Sequence, residues 1–211
     1  MARRIQRKIN IASFFILGIL WWSCVNSPTK ECQTSNLDKD KLAEIRGGDI
    51  ILRLGEGFVS QTITLFLADS VELSHCGIIV CRNDSFLVVH SLPKELSDKD
   101  GIQLCSLDKF VSESAPNSVV VVRPKKIGNE TMEANALYHL FHPKPFDWDF
   151  DVNDSTAFFC SELPLHILKH QFGVDLYPTS DSYPKFSLFM DTTYFKRIYA
   201  KNENVPRIEN N

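Results

Sequence analysis

The pattern of apolar and polar positions along the chain predicts several strands and a few helices. Short apolar runs bounded by Gly, Pro, Asn and Asp are typical of strands, whereas longer runs with apolar residues three or four apart are typical of helices. Strands are predicted over 49–54, 75–81, 86–92, 101–107 and 118–123, helices over 58–69 and 131–141, and a further helix within 157–172. The tail from Leu176 contains two prolines between short aromatic runs, so we expect it to wrap the surface. This order of elements predicts an α+β fold with a largely antiparallel sheet.

One predicted hairpin has a register that follows from its turn. Residues 82–85 have the composition of a turn, and centring the turn on its two middle residues pairs Gly77 with His90. Paired residues share a face of the sheet, as do residues two apart on one strand, so His75 and His90 become diagonal neighbours. Their backbones would lie about 7–8 Å apart, within reach of the two rings. A slip of one residue would place the rings on opposite faces.

Cys160 is predicted to lie at the start of a helix. Proline inside a helix costs about 3 kcal/mol or more but is tolerated in the first turn, so Pro164 implies a helix that starts near residue 160. The free N–H groups and the positive end of the helix dipole favour a thiolate there, and they suit an oxyanion as well. The negative charge of Glu162 in the first turn would also be favoured by the positive end of the helix dipole. We expect its side chain to point outward or to form a salt link, because a carboxylate would oppose the thiolate.

The first 24 residues have the pattern of an export signal. Basic residues within 3–8 precede an apolar run over 9–20, and Ser23 is a small residue before Cys24. Cys24 is a candidate lipid-attachment site; the alternatives are a residue discarded with the signal and an uncleaved membrane anchor. Residues 25–46 are polar and predict a tether, and 47–211 the folded domain. We therefore expect an exported bacterial protein of the cell envelope, periplasmic or held at the membrane by a lipid.

Length and charge limit the possible functions. The chain has 211 residues, 44% of them hydrophobic, which is enough for one compact domain. Its net charge is −3, and without the signal 19 basic residues face 26 acidic ones, a net charge of −7. This balance argues against a nucleic-acid partner, and no motif predicts a cofactor.

Histidine and cysteine spacings do not predict a metal site or a disulfide framework. His166 and His170 are four apart on a predicted helix, and His139 and His142 are three apart on another, but no third ligand accompanies either pair. We expect the cysteines at 76, 81 and 105 to be buried thiols in strands.

Five short motifs of the chain match those of a known family. They are Gly48-Asp49-Ile50-Ile51, Ser74-His75-Cys76-Gly77-Ile78-Ile79, Val88-Val89-His90, Pro145-Phe146-Asp147 and Phe159-Cys160-Ser161-Glu162-Leu163. They resemble the permuted papain-like amidases, the YiiX-like branch of the NlpC-type cysteine hydrolases, from about residue 48 to 183. The resemblance implies a circularly permuted papain-like fold, in which an antiparallel sheet packs against the helix bearing the nucleophilic Cys.

The resemblance also implies roles for three residues. Cys160 would be the nucleophile, His75 the general base and acid, and His90 the third, orienting residue. Many YiiX-like members have Glu at this third position, whereas the lecithin:retinol acyltransferase group uses a second His, as this chain does. A neutral His90 can still accept a hydrogen bond from His75 and fix its tautomer. Asp147 falls in a segment that leads toward the Cys helix, where a turn and cap role is expected.

Three hypotheses for function follow. The first is an amidase or peptidase that cleaves cell-wall peptides or related amides through a thioester acyl-enzyme. The second is an acyltransferase or (thio)esterase acting on lipid-like acyl substrates, suggested by His90 and the possible lipid anchor. The third is a catalytically silent binding module, against which the intact set of Cys160, His75 and His90 argues.

Overall fold

A six-stranded antiparallel sheet is the centre of the fold, which a computed structural model describes over residues 43–177 and 183–201. The strands are β1 (Ile50–Arg53), β2 (His75–Arg82), β3 (Ser85–Leu92), β4 (Gly101–Ser106), β5 (Val120–Pro124) and β6 (Phe195–Ala200), in the spatial order β4-β3-β2-β1-β5-β6. The helices are α1 (Phe58–Leu67), α2 (Leu107–Ser112), α3 (Asn129–Phe141) and α4 (Glu162–Phe172), with 3₁₀ turns at Lys94–Leu96 and Phe186–Met190. The predicted α+β class and antiparallel sheet are confirmed.

The N-terminal predictions fall outside these residues. The export signal, Cys24 and most of the tether lie within residues 1–42, which precede the described part of the chain. Ile45, assigned to the tether, is buried, so the folded part begins slightly before Gly47. Within the described ranges, no helix has the length and apolar character needed to cross a bilayer.

The hairpin of β2 and β3 has the predicted register. Ile79 pairs with Val88, and the ladder runs down to the turn without a shift. Asn83 and Asp84 both have positive φ, at 49° and 58°, as a two-residue turn that matches the strand twist requires. The turn therefore places His75 and His90 on the same face of the sheet.

The tail prediction is wrong. β6 pairs with β5 at the edge of the sheet, and Phe186 and Phe189 are buried in the core. The aromatic residues of the tail show no regular sequence pattern, because the residues they pack against lie far away along the chain. They share a core with residues of β5 and α4. The helix α2, in a stretch with no helical signal, was also not predicted, and its Phe110 is fully buried.

Each face of the sheet covers its own apolar core. One core contains Ile78 of β2 and Leu163 of α4, and the other contains Ile79 of β2 and Phe110 of α2. Neighbouring residues of β2 thus enter different cores, as the alternation of a strand requires. The helix that follows Cys160 is part of the first core, with six buried residues.

Candidate active site

The ends of β2 and β3 place two histidines in contact. The paired positions of these strands run from Arg82 and Ser85 to Ile78 and Val89, and the two histidines lie beyond them. Nε2 of His75 is 2.9 Å from Nδ1 of His90, a hydrogen-bond distance. Both side chains are buried, with exposed fractions of 6% and 4%. The predicted juxtaposition of the two rings is confirmed.

Phe110 and Arg53 complete the surroundings of the histidine pair. The Phe110 ring stacks on His75 with centroids 5.4 Å apart and meets His90 edge-on at 5.8 Å. The Arg53 guanidinium lies 4.5 Å from the Phe110 centroid and donates to Phe110 O at 2.7 Å and to Glu113 at 3.1 Å. Arg53 is opposite His75 in the ladder of β1 and β2. Sequence analysis missed both residues, since neither lies in a recognisable motif.

Burial keeps both histidines neutral. It is the main cause that lowers the pKa of His75 well below its usual value, with further lowering by His90 and Arg53. Burial, with the charges of Arg53 and Lys109, lowers the pKa of His90 to about 3. If His75 Nε2–H donates to His90 Nδ1, then His75 Nδ1 carries a free lone pair, which a general base needs. His90 Nε2 is buried and has no hydrogen-bond partner among residues 43–177 and 183–201.

Side chains from the same strand ends hold the Cys160 segment. The Cys76 thiol donates to Cys160 O at 3.3 Å, and the Ser91 hydroxyl donates to Phe158 O at 2.5 Å. Cys76 follows His75 on β2, and Ser91 follows His90 on β3. These two hydrogen bonds therefore hold the Cys160 segment against the strand ends that carry the two histidines. Cys160 itself is half-buried and immediately precedes Ser161, the N-cap of α4.

The environment of Cys160 favours its thiolate. The adjacent Cys76 thiol, together with N–H groups of Cys76, Ser161 and Cys160, lowers the pKa of Cys160 in spite of burial. Burial has the opposite effect on two other thiols: it raises the pKa of Cys105 to about 11 and that of Cys76 well above its usual value. Cys160 is therefore the thiol best suited to act as a nucleophile among these three.

The remaining cysteine prediction is only partly correct. Cys76, Cys81 and Cys105 lie in strands and form no disulfide among the described residues, but Cys81 is exposed and Cys105 is half-buried. Only Cys76 is fully buried, because it alone points into the first core.

The structure brings His75 and Cys160 to one cavity of about 390 Å³. His90 lies behind His75, through the hydrogen bond between their rings. Within the described part of the chain, no hydrogen bond joins the Cys160 sulfur to the His75 ring. Hydrogen bonds of this kind are often long before a substrate binds. The roles of the three residues therefore remain predictions.

The predicted outward position of Glu162 is wrong. Its side chain is 1% exposed, and its carboxylate accepts from Phe159 N–H at 3.3 Å. Burial, with a contribution from the negative charge of Asp147, raises the pKa of Glu162 to about 8. A protonated Glu162 does not oppose the thiolate, which removes the reason to expect it in solvent. Asp147 has the expected turn role, since it accepts from the N–H groups of residues 149 and 150.

The cavity walls come from segments far apart in sequence. They are α1, the ends of β2 and β3, and residues 93–96, 146–150, 159–161 and 183–186. The helix α1 was predicted as an element but not as a wall of the site. Its contribution depends on how the chain folds back over the sheet, which no local pattern reveals.

Three histidines of α3 and α4 lie close together in the described part of the chain. His166 and His170 have ring centroids 4.2 Å apart, and His139 lies 5.7 Å from His166. Even so, the described residues contain no group of three or more His, Cys, Asp or Glu side chains placed to hold a metal ion.

Comparison with known proteins identifies a related architecture. No family profile matches the sequence, and no curated protein matches it. Five solved chains match, among them the crystal structure of the metalloprotein YiiX (DUF1105) from Escherichia coli O157:H7. The two sequences are 22% identical, the match covers 64% of this chain and 71% of that one, and the TM-score is 0.52. This identity supports a likeness of fold alone, so the chain has a YiiX-like α+β fold.

Proposed function

We propose that this protein is a cysteine hydrolase that forms an acyl thioester on Cys160. The observation that carries the proposal is a thiol of lowered pKa in the same cavity as His75, a neutral histidine hydrogen-bonded to a second one. A nucleophile, a base and a group that orients the base are the three parts that this chemistry requires. The permuted papain-like arrangement, with Cys160 beside the first turn of α4, is part of the proposal.

The reaction divides into two steps. Cys160 attacks the substrate carbonyl while His75 Nδ1 takes the thiol proton, and the resulting imidazolium gives that proton to the leaving amine or alcohol. Water then attacks the thioester with His75 again as the base, which releases a carboxylic acid and restores the thiol. His90 accepts from His75 Nε2–H and thereby keeps the lone pair of Nδ1 free.

Backbone N–H groups beside Cys160 supply charge stabilisation. The N–H groups of Cys76, Ser161 and Cys160 favour the thiolate, and this cluster of donors suits an oxyanion formed next to the sulfur. Such donors cost no reorganisation during the reaction, because the Cys76 and Ser91 side chains fix the segment that includes Cys160.

Two substrate classes compete within this proposal. Export through residues 1–24 and lipid attachment at Cys24 would place the enzyme at the cell envelope, where cell-wall peptides and related amides are available. An acyltransferase or (thio)esterase acting on lipid-like substrates is the second candidate, and the largely apolar lining of the cavity favours it. A silent binding module would not need a thiol of lowered pKa.

Thiol labelling across pH tests the nucleophile. We expect Cys160 to react with iodoacetamide near neutral pH, and much faster than Cys105, whose pKa is about 11, because the thiolate is the reactive form. The reaction is followed by peptide mass spectrometry in the wild type, in Cys160→Ala and in the matched control Cys105→Ala. If Cys160 reacts no faster than Cys105 at neutral pH, the proposed function is wrong.

Kinetics of two histidine variants test the base. We expect His75→Ala to lower kcat/KM by roughly 10²–10⁴-fold on any substrate the enzyme turns over, the usual contribution of a general base. His90→Gln should have a smaller effect, since a glutamine oxygen can accept from His75 Nε2–H. Equal losses in the two variants would contradict the orienting role of His90.

A further inference from the structure

The cavity beside Cys160 is apolar well beyond what the chemistry at the sulfur requires. We infer that it holds the hydrocarbon chain of the acyl group, so that the substrate is an ester, thioester or amide of a long-chain carboxylic acid. This inference rests on the proposed function and names its substrate class. The carbonyl carbon lies at Cys160, the hydrocarbon chain runs toward α1, and the leaving group remains on the solvent side.

The size and lining of the cavity suit such a chain. Its volume of about 390 Å³ lies within the range of small-molecule sites, about 300–1,000 Å³. Apolar side chains come from every wall, including Ile63 of α1, Leu92 of β3, Trp148 and Phe159. The only charged side chain among the described lining residues is Glu95, which is exposed.

Most hydroxyl groups that line the cavity are already engaged by the protein backbone. Thr62 donates to Phe58 O at 2.9 Å, and Ser91 donates to Phe158 O at 2.5 Å. Ser74 accepts from Gly55 N–H at 2.9 Å. A peptide in this cavity would lose water from its amide groups with few partners in exchange, which is costly for each unpaired group. A hydrocarbon chain has no such groups to satisfy.

The exposed apolar side chains of α1 supply a driving force for binding a hydrocarbon chain. None of its residues is buried, although Ile63, Phe66 and Leu67 face the cavity. Phe66 is 61% exposed, an unusual state for a large apolar side chain beside a cavity. A bound hydrocarbon chain would remove this surface from water, which is favourable in proportion to the apolar area covered.

Chain-length kinetics with a matched pair of variants test the inference. Substrates are 4-nitrophenyl esters of acetic, butyric, octanoic and palmitic acids. In the wild type we expect kcat/KM to rise about fourfold per added methylene until the cavity is filled. Ile63→Trp fills part of the cavity and should lower kcat/KM on the palmitate ester at least tenfold more than kcat/KM on the acetate ester. Leu65→Trp is the control, because Leu65 is 81% exposed on the same helix and does not line the cavity.

A binding measurement separates this inference from the proposed function. The Cys160→Ala protein is titrated with a fluorescent fatty acid, dansyl-undecanoic acid, and the two tryptophan substitutions are introduced into it. If Ile63→Trp weakens binding of the fatty acid and Leu65→Trp does not, the cavity assignment is supported. This holds even if the wild type turns over no ester, because a lack of turnover counts only against the proposed function. Turnover that does not depend on chain length, with no binding of the fatty acid, would overturn the inference and leave the hydrolase intact.

Discussion

The helix α1 lines the cavity and α4 begins just after the cavity-lining residue Ser161, yet the two helices differ in burial. Six of the eleven residues of α4 are buried, whereas α1 has no buried residue among its ten. Six of the ten residues of α1 are apolar and none is charged, and Phe58 and Leu65 are each 81% exposed. Apolar character therefore does not decide burial here; the position of the helix relative to the sheet does.

The difference suits two separate tasks. The segment before α4 carries Cys160, the proposed nucleophile, which would have to be held to within a fraction of an ångström to be productive. The proposed role of α1 is only to exclude water from a substrate, and a loosely packed apolar surface would be sufficient for that. We therefore expect the free energy of unfolding and its dependence on pH to be determined by α4 and the sheet, with little contribution from α1.

Truncation of a leucine in each helix should give the largest contrast. Leu163→Ala opens a cavity in a fully buried part of the core and should lower the free energy of unfolding by about 2–5 kcal/mol. Leu65→Ala removes an exposed side chain from α1 and should change it by less than about 0.5 kcal/mol. Urea unfolding followed by circular dichroism measures both values. Similar losses in the two variants would show that α1 packs more tightly than its exposure indicates.

Glu162 should give the next largest effect, as a pH dependence of stability. Its pKa rises from 4.5 to about 8 on folding, chiefly through burial, so between these values the folded state holds a proton that the unfolded state has released. Its contribution to stability is therefore lost as pH rises through this window, by about 3–4 kcal/mol between pH 5 and pH 8. Glu162→Gln should remove this slope, as urea unfolding from pH 5 to pH 8 would show. An unchanged slope would contradict the protonated, buried state of Glu162.

His90 should give a smaller effect of the opposite sign. Its pKa falls from 6.5 to about 3 on folding, mainly through burial, so its contribution to stability is present above pH 6.5 and is lost as pH falls below that value. Between pH 7 and pH 5, His90→Gln should lose less stability than the wild type, by about 1–2 kcal/mol. Thermal unfolding at the two pH values tests this, and parallel losses would indicate that water reaches the His90 ring.

Local features of the chain were predictable because the interactions that produce them are local. The turn at Asn83 and Asp84 sets the register of the hairpin, and the register sets the contact between His75 and His90. Pro164 placed the helix start within two residues, since proline tolerates only the first turn.

Features that depend on distant packing were not predictable. β6 and the buried Phe186 belong to a tail with no regular pattern of its own, and its partner strand β5 lies far away in the sequence. The repulsion between a carboxylate and a thiolate predicts an outward or salt-linked Glu162, but the fold encloses the side chain and raises its pKa, so that a buried, protonated form is stable.

The sequence by itself determined the α+β class, the hairpin, and the candidate set of Cys160, His75 and His90, because each depends on short-range periodicity, turn chemistry or a motif. Only the tertiary structure decided that Arg53 and Phe110 pack against the histidine pair and that Cys76 and Ser91 hold the Cys160 segment. It also decided that α1 lines an apolar cavity beside the site. The physical reason is that these contacts join segments whose proximity depends on how the whole sheet is covered, and no local pattern of residues specifies that.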